Sequence, residues 1–155
     1  ADAPNAVNDT SYATRMLALP NGQVLFDDGT SQMEVYTAGG TPKSSWAPTI
    51  TSLKDTLAPG GTYNVAGTQL AGLDPGAAYG DDVQDNTNFP LVRITNNATG
   101  VVTYARTFDW TSVSVAAGTK SSTDFALPAS TPAGASTVVV VANGIASAPK
   151  AVTIS

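Results

Sequence analysis

The chain has 155 residues, enough for one ordinary domain and a small appendage. Only 12% are charged, about half the usual share, and the net charge is −5. That balance argues against nucleic acid or an anionic membrane as partner, and no run of about 18 apolar residues is present to cross a bilayer. His and Cys are both absent. Their absence excludes a Ser-His-Asp triad, a thiol nucleophile, zinc fingers, imidazole-ligated copper or haem, and disulfides. Composition thus leads to the expectation of a non-catalytic body without a cofactor.

The start, Ala1-Asp2-Ala3-Pro4, reads either as a remnant of signal-peptide cleavage or as a proteolytic boundary; with no charged n-region or apolar h-region within the sequence, any signal is expected to have been removed already. Thr, Ser, Ala, Gly and Asn dominate, with a single glutamate at Glu34. This is the composition of secreted bacterial β-proteins, so the expected location is extracellular or at the cell surface. Asn8-Asp9-Thr10 and Asn97-Ala98-Thr99 match the glycosylation acceptor pattern.

In chain order, Gly and Pro (14 and 10 residues) interrupt the sequence too often for helices of ordinary length. Short β-branched and aromatic runs between turn signals recur instead. Ala13 to Leu19, Gln23 to Phe26 and Met33 to Thr37 read as strands joined by Pro20-Asn21-Gly22 and Asp27-Asp28-Gly29. Residues 1–40 are therefore expected to hold a β-meander, and Gly/Pro/Ser-rich residues 41–47 a connector. From 48 to 155, strands are predicted at Thr49–Leu53, Thr62–Gly67, Leu91–Asn96, Val101–Arg106, Thr111–Val115, Ser122–Leu127, Ser136–Asn143 and Ala151–Ile154. Eight short strands at this spacing fit an immunoglobulin-like β-sandwich. Thr95 to Gly100 reads as a hairpin turn, and Val138 to Val141 as a central strand covered on both faces. Pro128 to Pro132 belongs in a crossing loop.

Ordered strings carry a family resemblance: Pro48-Thr49-Ile50-Thr51, Gly67-Thr68-Gln69-Leu70, Ala78-Tyr79-Gly80-Asp81-Asp82, Asn88-Phe89-Pro90-Leu91-Val92-Arg93-Ile94-Thr95-Asn96 and Val139-Val140-Val141-Ala142-Asn143-Gly144-Ile145. Residues 48–155 resemble the C-terminal immunoglobulin-like (E-set) domain that follows the kelch propeller in galactose oxidase-like and glyoxal oxidase-like proteins. Thr14 to Phe26, with its Leu19-Pro20-Asn21-Gly22-Gln23-Val24 centre, resembles part of a kelch blade. The resemblance implies the end of a propeller followed by its sandwich. It does not carry the oxidase activity. Where relatives place a copper-binding His, the segment Arg106 to Ser112 has Phe108 and Trp110, and neither ring donates a lone pair to copper. The Cys of the Tyr–Cys cofactor is missing as well.

Three constellations invite chemistry. Asp81, Asp82, Asp85 and Asn88 are hard-oxygen donors at short spacing and form a Ca²⁺ candidate, though the spacing departs from an EF-hand and a loop-capping role is the simpler reading. Asp27-Asp28 reads first as a turn and only second as a hydrolytic carboxylate pair. Tyr104, Phe108 and Trp110 share one nominal strand face, which suits a sandwich core and, as the alternative, a platform for sugar rings or a partner. Lys43, Lys54, Lys120 and Lys150 are the available lysines for isopeptide cross-links.

The meander is the most informative segment. Met16, Leu17, Leu19, Val24, Phe26, Met33, Val35 and Tyr36 are more apolar than a free three-stranded flap tolerates. They are expected to bury against the chain's own sandwich, another protein, or copies of itself through β-edge pairing. Head-to-tail pairing that fails to close would give a filament. The expected function is a secreted, non-catalytic structural or interaction module whose partner is protein. The alternative is a carbohydrate- or partner-binding accessory domain of a larger kelch-type protein.

Overall fold

The computed structural model describes Thr10, residues 14–74 and residues 90–155. Regular structure there is all β, apart from one turn of 3-10 helix at Ser44–Trp46. Three strands, β1 (Arg15–Ala18), β2 (Val24–Asp27) and β3 (Met33–Tyr36), form an antiparallel meander in the order β1-β2-β3. Its first turn closes as Asn-Gly chemistry predicts. Gly22 takes φ +85°, Leu19 N–H donates to the Gln23 carbonyl at 2.8 Å, and Asn21 Oδ1 accepts from Gln23 N–H at 3.0 Å.

Nine further strands make one strongly curled mixed sheet: β4 (Thr49–Leu53), β5 (Thr56–Leu57), β6 (Thr62–Thr68), β7 (Leu91–Asn96), β8 (Val102–Phe108), β9 (Lys120–Ala126), β10 (Gly134–Ala142), β11 (Ile145–Ala146) and β12 (Lys150–Ile154). Their order is β4-β6-β9-β8-β7-β10-β12-β5, with β11 on β10, and only β12–β5 is parallel. The β8–β9 link rests on two residue pairs, Thr107↔Phe125 and Phe108↔Asp124, whereas β8 pairs with β7 over five. So narrow a hinge lets the sheet curl until its halves share one core. Leu53, Val65, Phe125 and Leu127 from one half meet Val92, Ile94, Val138, Val140, Val152 and Ile154 from the other.

Period-two burial carries this arrangement. In β7, Val92, Ile94 and Asn96 are buried and their neighbours half-buried. Asn96 is tolerated inside because its Nδ2 donates to the Ala133 carbonyl while its Oδ1 accepts from the N–H of Ala98 and Thr99 in the following turn. Val138 to Ala142 are buried on both faces of β10, the strand with β7 on one side and β12 and β11 on the other. At Gly67 a Cβ would collide with the Thr49 carbonyl beside the β4 bulge, so only glycine fits this close backbone approach.

One expected strand is corrected, and two short strands are additional to the expected ones. Thr111–Val115 forms no strand, because its hydroxyls take up the backbone donors that a ladder needs. Thr111 Oγ1 accepts from Ser122 N–H, Ser112 Oγ from Ser114 N–H, and Ser114 Oγ from Ala116 N–H. Val113 is left 62% exposed. β5 and β11, two residues each, are too short to produce a periodic signal.

Candidate interaction surface

The meander's strands are apolar at consecutive positions, and pairing turns those runs into two apolar faces. Registered residues form the rows Leu17-Leu25-Val35 and Ala18-Val24-Tyr36, flanked by Met16-Phe26-Glu34 and Arg15-Asp27-Met33. Alternate rows share a face. One face therefore carries Leu17, Leu25, Val35 and Met33, and the other Met16, Phe26, Val24, Ala18 and Tyr36. Apolar residues on both faces are characteristic of sheets covered on both sides.

Among the described residues that cover is missing. Met16 is 66% exposed, Met33 63%, Tyr36 58%, Val35 53% and Leu17 45%, while Leu19, Val24, Leu25 and Phe26 are half-buried. No meander strand packs extensively on a strand of the larger sheet among the described residues, and the β1–β2 turn touches the β10–β11 turn. There Gly22 meets Gly144 of the β10–β11 turn so closely that a Cβ on Gly144 would lie 2.5 Å from Gly22 Cα. Both edges of the meander, along β1 and β3, lack a strand partner among the described residues. Folding back on the chain's own larger sheet, one of the expected fates of this segment, is therefore not what the structure adopts.

Phe108 and Trp110 do not join this surface. β8 ends at Phe108, and Asp109 follows with φ +53°, which breaks the alternation that would align Tyr104, Phe108 and Trp110. Trp110 is half-buried and its Nε1–H donates to Thr107 Oγ1 at 3.0 Å, while Thr107 in turn donates to the Pro90 carbonyl. Phe108 is half-buried where β8 meets β9, and Tyr104 is 43% exposed. The three rings make no common platform.

Asp27 and Asp28 build a turn. Asp27 Oδ1 accepts from Gly29 N–H at 2.8 Å and Asp28 Oδ1 from Thr30 N–H at 2.9 Å, with Gly29 at φ +82°. The hydrogen bonds from the Thr30 side chain and backbone hold the Asp28 carboxyl below its ordinary pKa of 3.8. A hydrolytic general acid requires the opposite shift. The calcium candidates Asp81, Asp82, Asp85 and Asn88 lie outside the described residues, and among the described residues no three acidic side chains converge on a metal-sized site. Five of the twelve acids (Asp2, Asp9, Asp81, Asp82, Asp85) are outside the described residues, so the described part carries seven acids against seven bases. All four lysines are exposed or half-exposed: Lys150 pairs with Asp55 at 2.7 Å, while Lys43 and Lys54 lie over Trp46 and Tyr63.

Three residues that period and motif did not single out organise the surroundings. Gln69, at φ +57°, donates from Nε2 to the Ser45 and Ala47 carbonyls and accepts on Oε1 from Gly118 N–H. It ties the connector to the larger sheet. Trp46, in the 3-10 turn so anchored, is 43% exposed. Asn143, at φ +50°, donates from Nδ2 to the Asp74 carbonyl. The sequence signals were the strings of the family resemblance that contain Gln69 and Asn143, and a lone Trp in the Gly/Pro/Ser-rich connector. The chain matches no protein-family model, and no curated protein is similar to it.

Proposed function

We propose that this chain is a secreted, non-catalytic structural or interaction module whose meander is completed by protein cover on both faces and along its open strand edges. The observation that carries the reading is the pairing register, which puts half-exposed or more exposed apolar side chains on both sides of a sheet that the other described residues do not cover. Extra strands on β1 or β3 satisfy backbone groups, and sheets stacked on the faces remove the apolar rows from water.

Two sources of cover remain. Copies of the chain supply it in a self-assembling subunit. In the second, further β-sheets of a larger kelch-type protein supply it, with the curled sheet as the immunoglobulin-like (E-set) domain beside them. The two-faced pattern favours this second arrangement, since a blade between two neighbours is covered on both sides whereas a simple two-fold dimer covers one. The strand order of the larger sheet supports the immunoglobulin-like reading: its leading segment is split between β4 at one edge and β5 at the other.

The test is association of the purified chain by sedimentation velocity over a concentration series, compared with single acidic substitutions on each face. Association weakened by a substitution on each face supports the reading. A strict monomer throughout, indifferent to both substitutions, overturns self-assembly. Discrete closed or filamentous species select self-assembly, and polydisperse association selects cover by other sheets.

A further inference from the structure

Where the β1–β2 turn meets the β10–β11 turn, the chain encloses an open cleft of about 450 Å³, within the size range of small-molecule sites. One wall is a row of neutral polar side chains already fixed to one another. Asn21 Nδ2 donates to Gln23 Oε1 at 2.6 Å, and Gln23 Nε2 donates to Thr37 Oγ1 at 2.9 Å. Each member keeps an open valence: the second N–H of both amides, a lone pair on Gln23 Oε1 and the Thr37 hydroxyl proton. The lining also includes Trp46, 43% exposed, and Ile145. Trp46 also borders a smaller cavity of about 270 Å³ beside Leu73 and Asn143. Its position is set by the Gln69 clamp on Ser45 and Ala47, and Lys43 Nζ lies 5.4 Å from the ring centroid. The closely approaching Gly22 and Gly144 are both part of the lining.

Among the described residues lining the larger cleft there is no acid and no base. An ammonium ligand would find no acid among the cleft's described lining, and a carboxylate could pair only with the exposed Lys43 ammonium over the Trp46 ring, an ion pair worth little in water. An apolar ligand would leave the Asn21-Gln23-Thr37 row without water and without a partner. A ring with apolar C–H faces and hydroxyls at its rim satisfies both sides. We propose that this cleft binds a neutral sugar ring, stacked on Trp46 and hydrogen-bonded through its hydroxyls to Gln23 and Thr37. The site is separate from the apolar faces of the meander, so it stands or falls independently of the association reading.

Isothermal titration calorimetry of the full chain with glucose, mannose, xylose and their linear oligomers, with glucuronate as the charged comparison, tests it. The expected result is saturable binding at about millimolar Kd for a monosaccharide, with glucuronate weaker. Trp46→Ala abolishes it, Thr37→Val weakens it about tenfold, and Trp110→Phe and Val35→Asp leave it unchanged. Emission from Trp46 responds in the parent and in Trp110→Phe. If Trp46→Ala melts below the parent, Trp46→Phe and Thr37→Val carry the test. Absence of saturable binding with every neutral sugar, binding undiminished in Trp46→Ala and Thr37→Val, or tighter binding of glucuronate would each overturn the proposal.

Discussion

Val35→Asp and Met16→Asp probe the two faces of the meander separately. Complete burial of such side chains is worth about 1.5–3 kcal/mol each. With Val35 53%, Leu17 45% and Met33 63% exposed, covering the first face recovers about 1 kcal/mol per residue, or roughly 3 kcal/mol. Met16 at 66% and Tyr36 at 58% give the second face about 2–3 kcal/mol. Association costs about 4–15 kcal/mol in lost translational and rotational freedom. Neither face alone offsets that cost, so stable cover requires both faces, paired edges, or a covalent connection to the covering sheets. An aspartate at position 35 removes one of these gains and places an unpaired carboxylate under the cover. The combined loss of about 3 kcal/mol or more corresponds to at least a hundredfold weaker association. The unassociated chain should lose little stability, because both sites face water there. Val113→Asp is the matched control, an equally exposed valine (62%) on the larger sheet's loop. Sedimentation velocity and hydrophobic-dye binding should show both meander variants shifted toward monomer and Val113→Asp unchanged. Equal effects from all three variants would reduce the result to added charge, and an effect from one meander face only would refute the two-sided cover.

Gln69→Ala removes three hydrogen bonds at once and should destabilise the larger sheet by about 2–3 kcal/mol in urea unfolding. Faster amide exchange should be confined at first to residues 44–47 and 116–119. Gly144→Ala faces both φ +75° and the Gly22 backbone, so the β1–β2 turn should be displaced and Leu19 and Gly22 amides lose exchange protection. Unchanged protection would mean that the two turns do not touch in solution. Asp28 titrates below 3.8 in the folded chain, so its contribution to the Asp27–Thr30 turn is fully present above that value and is lost as pH falls through the lowered pKa. A carboxyl carbon titration by NMR should put the Asp28 midpoint below 3.8, and Asp28→Asn should abolish the corresponding low-pH step.

Local chemistry was legible wherever a strand's neighbours in sequence are also its neighbours in space. Asn21-Gly22 and the 95–100 segment specify their hairpins through residues that accept positive φ or cap the turn. The valine run of β10 announces cover on both sides. The meander's excess of apolar residues was visible as composition, but its distribution over two faces depends on the register between strands. The aromatic face proposed for Tyr104, Phe108 and Trp110 failed on a single backbone angle at Asp109, which no periodic pattern encodes. Trp46 drew no attention because a lone aromatic in a Pro/Ser-rich connector has no period to belong to. Its significance comes from Gln69, 23 residues away, and from a turn nearly 100 residues away.

From the sequence alone followed the all-β class, the meander, most strands of the larger sheet, and the exclusion of His- and Cys-dependent chemistry, because these depend on residue type and on spacing within a few positions. The tertiary structure decided that the larger sheet curls about the two-pair β8–β9 link, that the meander projects uncovered, and that the cleft beside Trp46 exists. Each of these is a relation between segments far apart in the chain, set by which backbone groups and side chains find one another only after the strands have paired.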